Sequence, residues 1–181
     1  MPLKDIKPSP SSEALNAYYK KKITYTDFLF WEIILIVIAL AFVASIFQSL
    51  GQNTSWYQSL PIPSWQPPDW AFGLIWIIMY LLISLTGYSG IKADPRRIVF
   101  GGLFVIGLLL NVLWTIVFTY QQNITGGFII IIILDVVVLT QIIYLLTCKN
   151  KPARVTGGLL VIYLIWLAYA TSLNGSIMLN Q

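Results

Sequence analysis

All 11 lysines and arginines of this 181-residue chain fall into three short stretches. Around those stretches lie five apolar runs, at about residues 28–50, 70–89, 98–120, 125–148 and 155–177. Lys4, Lys7 and Lys20 to Lys22 precede the first run. Lys92, Arg96 and Arg97 separate the second from the third, and Lys149, Lys151 and Arg154 the fourth from the fifth. The connections at 51–68 and 121–124 carry none, nor does the C-terminus. Each run is near the roughly 20 residues that a helix needs to cross about 30 Å of hydrocarbon. In lipid the backbone must satisfy its own hydrogen bonds, so these runs are predicted to be helices. That holds even for IIIIILDVVV (129–138), whose β-branched residues would argue for a strand in water.

Five spans put all three basic stretches on one side of the membrane. The excess of Lys and Arg in cytoplasmic loops then predicts a cytoplasmic N-terminus and a C-terminus outside. The expected fold is an all-α integral membrane protein, a five-transmembrane-helix bundle over residues 28–181. Residues 1–27 are polar and include KPSPSSE, which reads as a flexible tail. No cleavable signal peptide is expected, because the first apolar run comes late and is too long for an h-region.

Composition narrows the function classes. The chain is 57% hydrophobic and 10% charged, against roughly 45–50% and about 25% in soluble domains. It has no means of building a charged shell around a soluble core, so the lipid bilayer is its expected partner. The net charge of +4 sits in connections and tail, and no nucleic-acid partner is expected. There is no histidine and one cysteine, Cys148. That removes the commonest metal ligand and the usual general base near neutral pH, and it excludes an internal disulfide. Neither a metal site nor a cofactor is expected. No internal repeat is visible, which weighs against an inverted-repeat transporter. Gly101, Gly102, Gly126, Gly127, Gly157 and Gly158 lie near the ends of runs, where they permit either close helix approach or loose ends.

The aromatic residues are ordered. WYQSLPIPSWQPPDW (56–70) packs three tryptophans and four prolines into a connection between spans. Pro67-Pro68 suits the first turn of a helix, and Asp69 suits the positive end of its dipole. Trp56, Trp65 and Trp70 are expected in an interfacial belt. Stripes at helical spacing follow: Gly73, Trp76, Tyr80, Ser84 and Gly87 in the second run, and Gly107, Asn111, Trp114, Phe118 and Gln122 in the third. The fifth has Tyr163, Trp166, Ala170 and Asn174. At 1.5 Å per residue Trp76 lies about 9 Å below Trp70. The stripes therefore share one level beneath the 51–68 connection, deeper than a belt. A pocket with aromatic walls and small residues beside them is one reading, and tight interhelical packing is the other.

Two carboxylates fall within spans. Glu32 is near the cytoplasmic surface, where it can snorkel or pair with Lys20 to Lys22. Asp135 is near the middle of the fourth run, where a bare charge costs several kcal/mol. It is expected neutral or hydrogen-bonded inside the bundle; an intramembrane acid is a functional candidate by default, and a structural bond to a polar neighbour such as Asn111 is the other reading.

Four segments in order, WYQSLPIPSWQPPDWAFGLIW (56–76), LLNVLWTIVF (109–118), ILDVVV (133–138) and YLIWLAYATSLN (163–174), resemble the signatures of the translocator protein family. Its members are also called tryptophan-rich sensory proteins or peripheral benzodiazepine receptors, and the resemblance covers about residues 28–180. It implies a five-helix bundle, often a homodimer, that binds porphyrins, sterols or benzodiazepine-type ligands beneath the first loop. Carried over by position, the pocket residues are Tyr57, Trp76, Phe118, Thr119, Gln122, Trp166, Ala170 and Leu173. Trp65 and Trp114 join them as aromatic neighbours. Three departures stand out: Ile62 replaces a basic residue before the proline of PSW, Ile162 replaces a proline, and no Lys or Arg follows Tyr169. The first removes a cation for porphyrin propionates, and the last leaves a sterol motif incomplete.

The expected function is a membrane receptor or sensor for porphyrin (tetrapyrrole) or a similar hydrophobic small molecule. The alternatives are light-dependent porphyrin degradation, with Trp76 and Trp166 as electron donors, and tetrapyrrole or sterol transport. No acid–base pair or nucleophile constellation supports ordinary catalysis.

Overall fold

The computed structural model describes residues 11–93, 98–149 and 151–181, and of these the side chains at 19–27, 69 and 93 are left aside. Helix α1 spans Ser12–Gln52, α2 Ser55–Gln58, α3 Asp69–Ala93, α4 Ile98–Thr115, α5 Ile124–Thr147 and α6 Lys151–Leu179. A π-helical segment, Ile116–Tyr120, ends α4. No strand occurs among the described residues. Five helices are long and apolar enough to cross a membrane: Phe28–Gln52, Trp70–Lys92, Ile98–Tyr120, Ile124–Thr147 and Lys151–Leu179. The protein is an all-α, multi-pass integral membrane protein.

The chain divides into two units, Met1–Glu32 and Ile33–Gln181. In the first, the tail expected to be flexible over 1–27 is helical from Ser12 onward. Local chemistry accounts for the difference. The Ser11 hydroxyl accepts a hydrogen bond from the Ala14 amide at 3.2 Å, Glu13 favours the first turn, and EALNAYYKKK contains good helix formers. Lys4 and Lys7, and the pairing of Glu32 with Lys20 to Lys22, lie outside the described residues, as do Arg96, Arg97 and the Asp69 side chain.

In the second unit α5 packs between α4 and α6, and α3 packs against α4 and α6. The buried side chains of α5 (Ile131, Leu134, Val138, Ile142, Leu145) recur at three- and four-residue steps, as one face of a packed helix requires. Its start is capped by Asn123, whose Oδ1 accepts from the Gly126 amide at 2.8 Å. Helix α6 begins at Lys151 rather than near 155, because Pro152 is tolerated in a first turn.

The glycines divide by role. A Cβ on Gly87 or Gly90 of α3 would meet the rings of Phe104 and Phe100 at 2.3 and 2.2 Å. These two positions, not the clusters singled out from sequence, let α4 press its phenylalanines into α3. At Gly101, Gly102 and Gly158 an added Cβ meets nothing within 4 Å, so close packing does not account for them. Gly127 does serve close approach, since its Cβ would lie 2.7 Å from that of Phe118.

Candidate functional site

The connection between α1 and α3 is stiffened along its length. The Thr54 hydroxyl caps α2 by accepting from the Tyr57 amide, the Gln66 amide donates to the Pro63 carbonyl at 3.0 Å, and the Ala71 amide donates to the Pro68 carbonyl at 2.8 Å. It forms a lid over the ends of the spans. A tie to α6 holds it down: the Tyr169 hydroxyl donates to the Trp65 carbonyl at 3.0 Å, and the Trp65 ring meets the Tyr169 ring edge-on at 5.5 Å.

Beneath the lid, two aromatic walls face one cavity. On the α3/α6 side, Trp166 stacks on Tyr169 at 5.5 Å. It also meets Phe72 edge-on at 5.8 Å and Trp76 edge-on at 6.4 Å, while Trp76 stacks on Tyr80 at 5.3 Å. On the α4 side, Trp114 and Phe118 stack nearly parallel at 5.3 Å, and Trp56 of the lid packs edge-on against Phe118 at 6.1 Å. Offset and edge-on pairs are the favoured arrangements of the ring quadrupole, each worth about 0.5–1.5 kcal/mol beyond burial.

Of the residues singled out from sequence, Tyr57, Trp76, Trp114, Phe118, Thr119, Trp166, Ala170 and Leu173 all line this cavity. Two do not. Trp65 is half-exposed and acts from above, through Tyr169. Gln122 is exposed on the turn after α4, although α-helical spacing would set it one turn above Phe118. The π-helical segment widens that turn and moves later residues off the expected face. The Gln121 amide accordingly reaches the Ile116 carbonyl and the Asn123 amide the Val117 carbonyl. Gln122 itself adopts a left-handed φ of 58°, a conformation uncommon outside glycine. Trp56, expected in the belt with Trp65 and Trp70, instead turns inward onto Phe118, whereas Trp70 is 72% exposed.

The cavity also has lining residues that the stripes did not reveal: Gln48 and Gln52 of α1, Gln66 of the lid, and Phe72. A signal for the α1 pair exists in the sequence. Ser45, Gln48, Ser49 and Gln52 form a polar stripe at helical spacing in an otherwise apolar run. Gly51 lies on the same helix, and its missing side chain matters: a Cβ there would sit 2.3 Å from the Thr119 carbonyl oxygen.

The cavity polar groups are uncharged. The Trp114 indole donates to Asn174 Oδ1 at 3.2 Å, and the Asn174 amide donates to the Ile124 carbonyl at 3.4 Å. Two atoms stand out: the Trp166 indole nitrogen and Gln66 Oε1 are buried and have no hydrogen-bond partner among the described residues. Buried polar atoms are nearly always paired, so an unpaired donor and an unpaired acceptor in one cavity mark a place for a hydrogen-bonding guest. The free space measures only about 50 Å³, far below the ~300–1,000 Å³ of drug-sized sites. The site is narrow, and room for a large guest would require the lid or α1 to move.

Asp135 is hydrogen-bonded inside the bundle, as expected, but to a neighbour other than Asn111. Asp135 Oδ2 accepts from the Thr171 hydroxyl of α6 at 2.7 Å, with Oδ1 buried and unpaired. Asn111 instead donates to the Tyr163 hydroxyl. Rotation of α5 turns Asp135 toward α6, which sequence spacing alone does not specify. Among the described residues no cluster of His, Cys, Asp or Glu is arranged to hold a metal.

Comparison with known proteins gives the same picture. Residues 33–179 match the TspO/MBR family model. A tryptophan-rich protein TspO from Archaeoglobus fulgidus is 35% identical over 150 residues, covering 81% of this chain and 92% of that protein. A tryptophan-rich protein TspO from Chlorobaculum tepidum is 33% identical over 146 residues, 78% of this chain and 88% of that protein. The human translocator protein is 28% identical over 128 residues, 68% of this chain and 73% of that protein. The family model covers most of the chain, and the archaeal relative aligns with four-fifths of it; the chain belongs to the TspO/MBR family.

Proposed function

We propose that this protein is a membrane receptor or sensor that binds a porphyrin or a similar flat hydrophobic molecule in the cavity beneath the lid. The observation that carries the reading is the convergence of two stacked aromatic walls on a space holding an unpaired indole donor and an unpaired carboxamide acceptor. Faces suit stacking against a flat guest, and the unpaired atoms suit its polar groups. The family relationship supports the same reading and extends it to a homodimer. The segregation of Lys and Arg supports a lid facing away from the cytoplasm.

Titration of the purified protein in nanodiscs with protoporphyrin IX, followed by tryptophan quenching, tests the reading. Saturable quenching is expected. Trp76→Ala and Trp166→Ala are each expected to weaken binding roughly 2- to 12-fold, the equivalent of ~0.5–1.5 kcal/mol of stacking. Unchanged affinity in both variants would mean that the guest sits elsewhere.

A second reading is favoured by the edge contact of Trp76 and Trp166 at 6.4 Å: oxygen-dependent photodegradation of the bound porphyrin with these indoles as electron donors. Illumination under oxygen decides it. A Soret band that bleaches as fast in the Trp76→Phe, Trp166→Phe double variant as in the parent protein removes the indoles from the chemistry.

A further inference from the structure

A second and roomier space adjoins the aromatic cavity on the lid side. It is a groove of about 340 Å³ between α1 and α3, lined by Ser45, Gln48, Ser49, Gln52 and Asn53 on one side and by Phe72 and Gly73 on the other. Gln48, Gln52 and Phe72 line both spaces and so form their common wall. A Cβ added to Gly73 meets nothing within 4 Å, so this glycine leaves the groove open rather than serving helix contact.

The chemistry of the groove is unusual for its place. Ser45 and Gln52 are seven residues apart, so the polar stripe runs about 10 Å along α1 from its lid end. The two hydroxyls have local partners, Ser45 donating to the Phe42 carbonyl at 2.7 Å and Ser49 accepting from the Asn53 side-chain amide at 3.5 Å, whereas carboxamides facing acyl chains would lack partners. A space of this size admits about ten waters at ~30 Å³ each, or the polar end of an amphiphile. Neither the groove nor the cavity has a lysine, arginine, aspartate or glutamate in its wall among the described residues. The stripe therefore offers hydrogen bonds without charge. The inner wall continues this chemistry through the unpaired Gln66 Oε1 and Trp166 indole.

We propose that this groove is the lateral entrance to the aromatic cavity, and that it selects flat amphiphiles whose polar groups are uncharged hydrogen-bonding ones. The polar end docks along Ser45, Gln48 and Gln52 while the apolar body remains in the bilayer. Displacement of Phe72 from its edge contact with Trp166 then opens the common wall, and the body slides between the aromatic faces. The carboxamides of Gln48 and Gln52 accompany the polar end across, because they belong to both compartments. This proposal rests on the reading of the cavity as the ligand site.

Stopped-flow tryptophan quenching of the full chain in nanodiscs, with protoporphyrin IX dimethyl ester as the probe, tests it. Gly73→Phe fills the groove from a position outside the cavity. It is expected to slow association and dissociation together, at least ~10-fold each, so that their ratio changes little. In a Cys148→Ser background, Gly73→Cys labelled after folding with a bulky maleimide should reproduce the slowing, and the unlabelled variant should not. The uncharged ester is expected to associate faster than the diacid. If both blocked proteins exchange the ester at the parent rate, or only their equilibrium affinity falls, the groove is not the route. If the diacid associates faster than the ester, the selection for uncharged groups is wrong. If the parent protein binds neither probe, the ligand reading of the cavity fails, and the entrance with it.

Discussion

Helix α6 buries a residue at nearly every turn from Ala153 to Ile177 (Thr156, Gly157, Leu160, Tyr163, Leu167 and Asn174 lie between). Helix α1, between Ile33 and Gly51, buries only those two residues together with Val37 and Ala44. Both helices wall the same cavity, one through Trp166, Ala170 and Leu173 and the other through Gln48 and Gln52. In lipid the acyl chains are as apolar as leucine, so helix association depends on packing and hydrogen bonds rather than on escape from water. The contrast therefore separates a fixed frame, α3 to α6, from a lightly seated wall. The cavity, about 50 Å³ in free volume, has its freedom to widen where packing is thinnest, along α1 and the lid.

Equal truncations on the two sides test this most strongly. Ile142→Ala on α5 leaves a void between packed helices and is expected to cost about 2–4 kcal/mol. Ile33→Ala on α1, where an acyl chain or a small helix shift can fill the space, is expected to cost about 1 kcal/mol. Thermal unfolding in one detergent measures both, and equal losses would erase the distinction between frame and wall.

A polar tie within the frame should have the next largest effect. Thr171→Val leaves the Asp135 carboxyl without the hydroxyl that now donates to it, at an expected cost of about 1–3 kcal/mol. Thr171→Ser should restore most of the loss, whereas a serine variant as unstable as the valine one would trace the effect to shape instead.

The smallest expected effect sharpens the comparison from the lid. Tyr169→Phe deletes the hydroxyl that holds the Trp65 carbonyl and keeps the ring stacked on Trp166. A hydrogen bond of this kind is worth about 0.5–1.5 kcal/mol, so the thermal midpoint should barely move. Amide exchange over residues 56–66 should rise roughly 2- to 10-fold while α5 amides stay unchanged. Equal acceleration in α5 would show that the tie stabilises the whole bundle.

Particular residues show how far the sequence could be read. Trp76, Trp114, Phe118 and Trp166 were placed on one level by spacing and depth, and they meet on one cavity, because an α-helix keeps its faces as long as it stays α-helical. Gln122 was misplaced because five residues of π-helix intervene, and no periodicity announces such a change of pitch. Spacing places Asp135 in the bundle beside some polar group, and that group is Thr171 rather than Asn111, because helix rotation decides which neighbour a mid-span carboxyl meets. Gln48 and Gln52 went unused although their stripe was visible, since a polar stripe acquires meaning only when the facing helix is known.

The sequence by itself determined a five-helix membrane protein and the level of its aromatic residues. Those properties follow from run length, charge position and the need of each backbone to satisfy itself in lipid, all of which act locally. Tertiary structure decided that the aromatic walls close on one another, that the Trp166 indole and Gln66 carboxamide are buried without partners, and that an open polar groove adjoins them. These depend on how far each helix is rotated and how closely glycines such as Gly51 and Gly87 let neighbours approach, quantities set only when the helices pack.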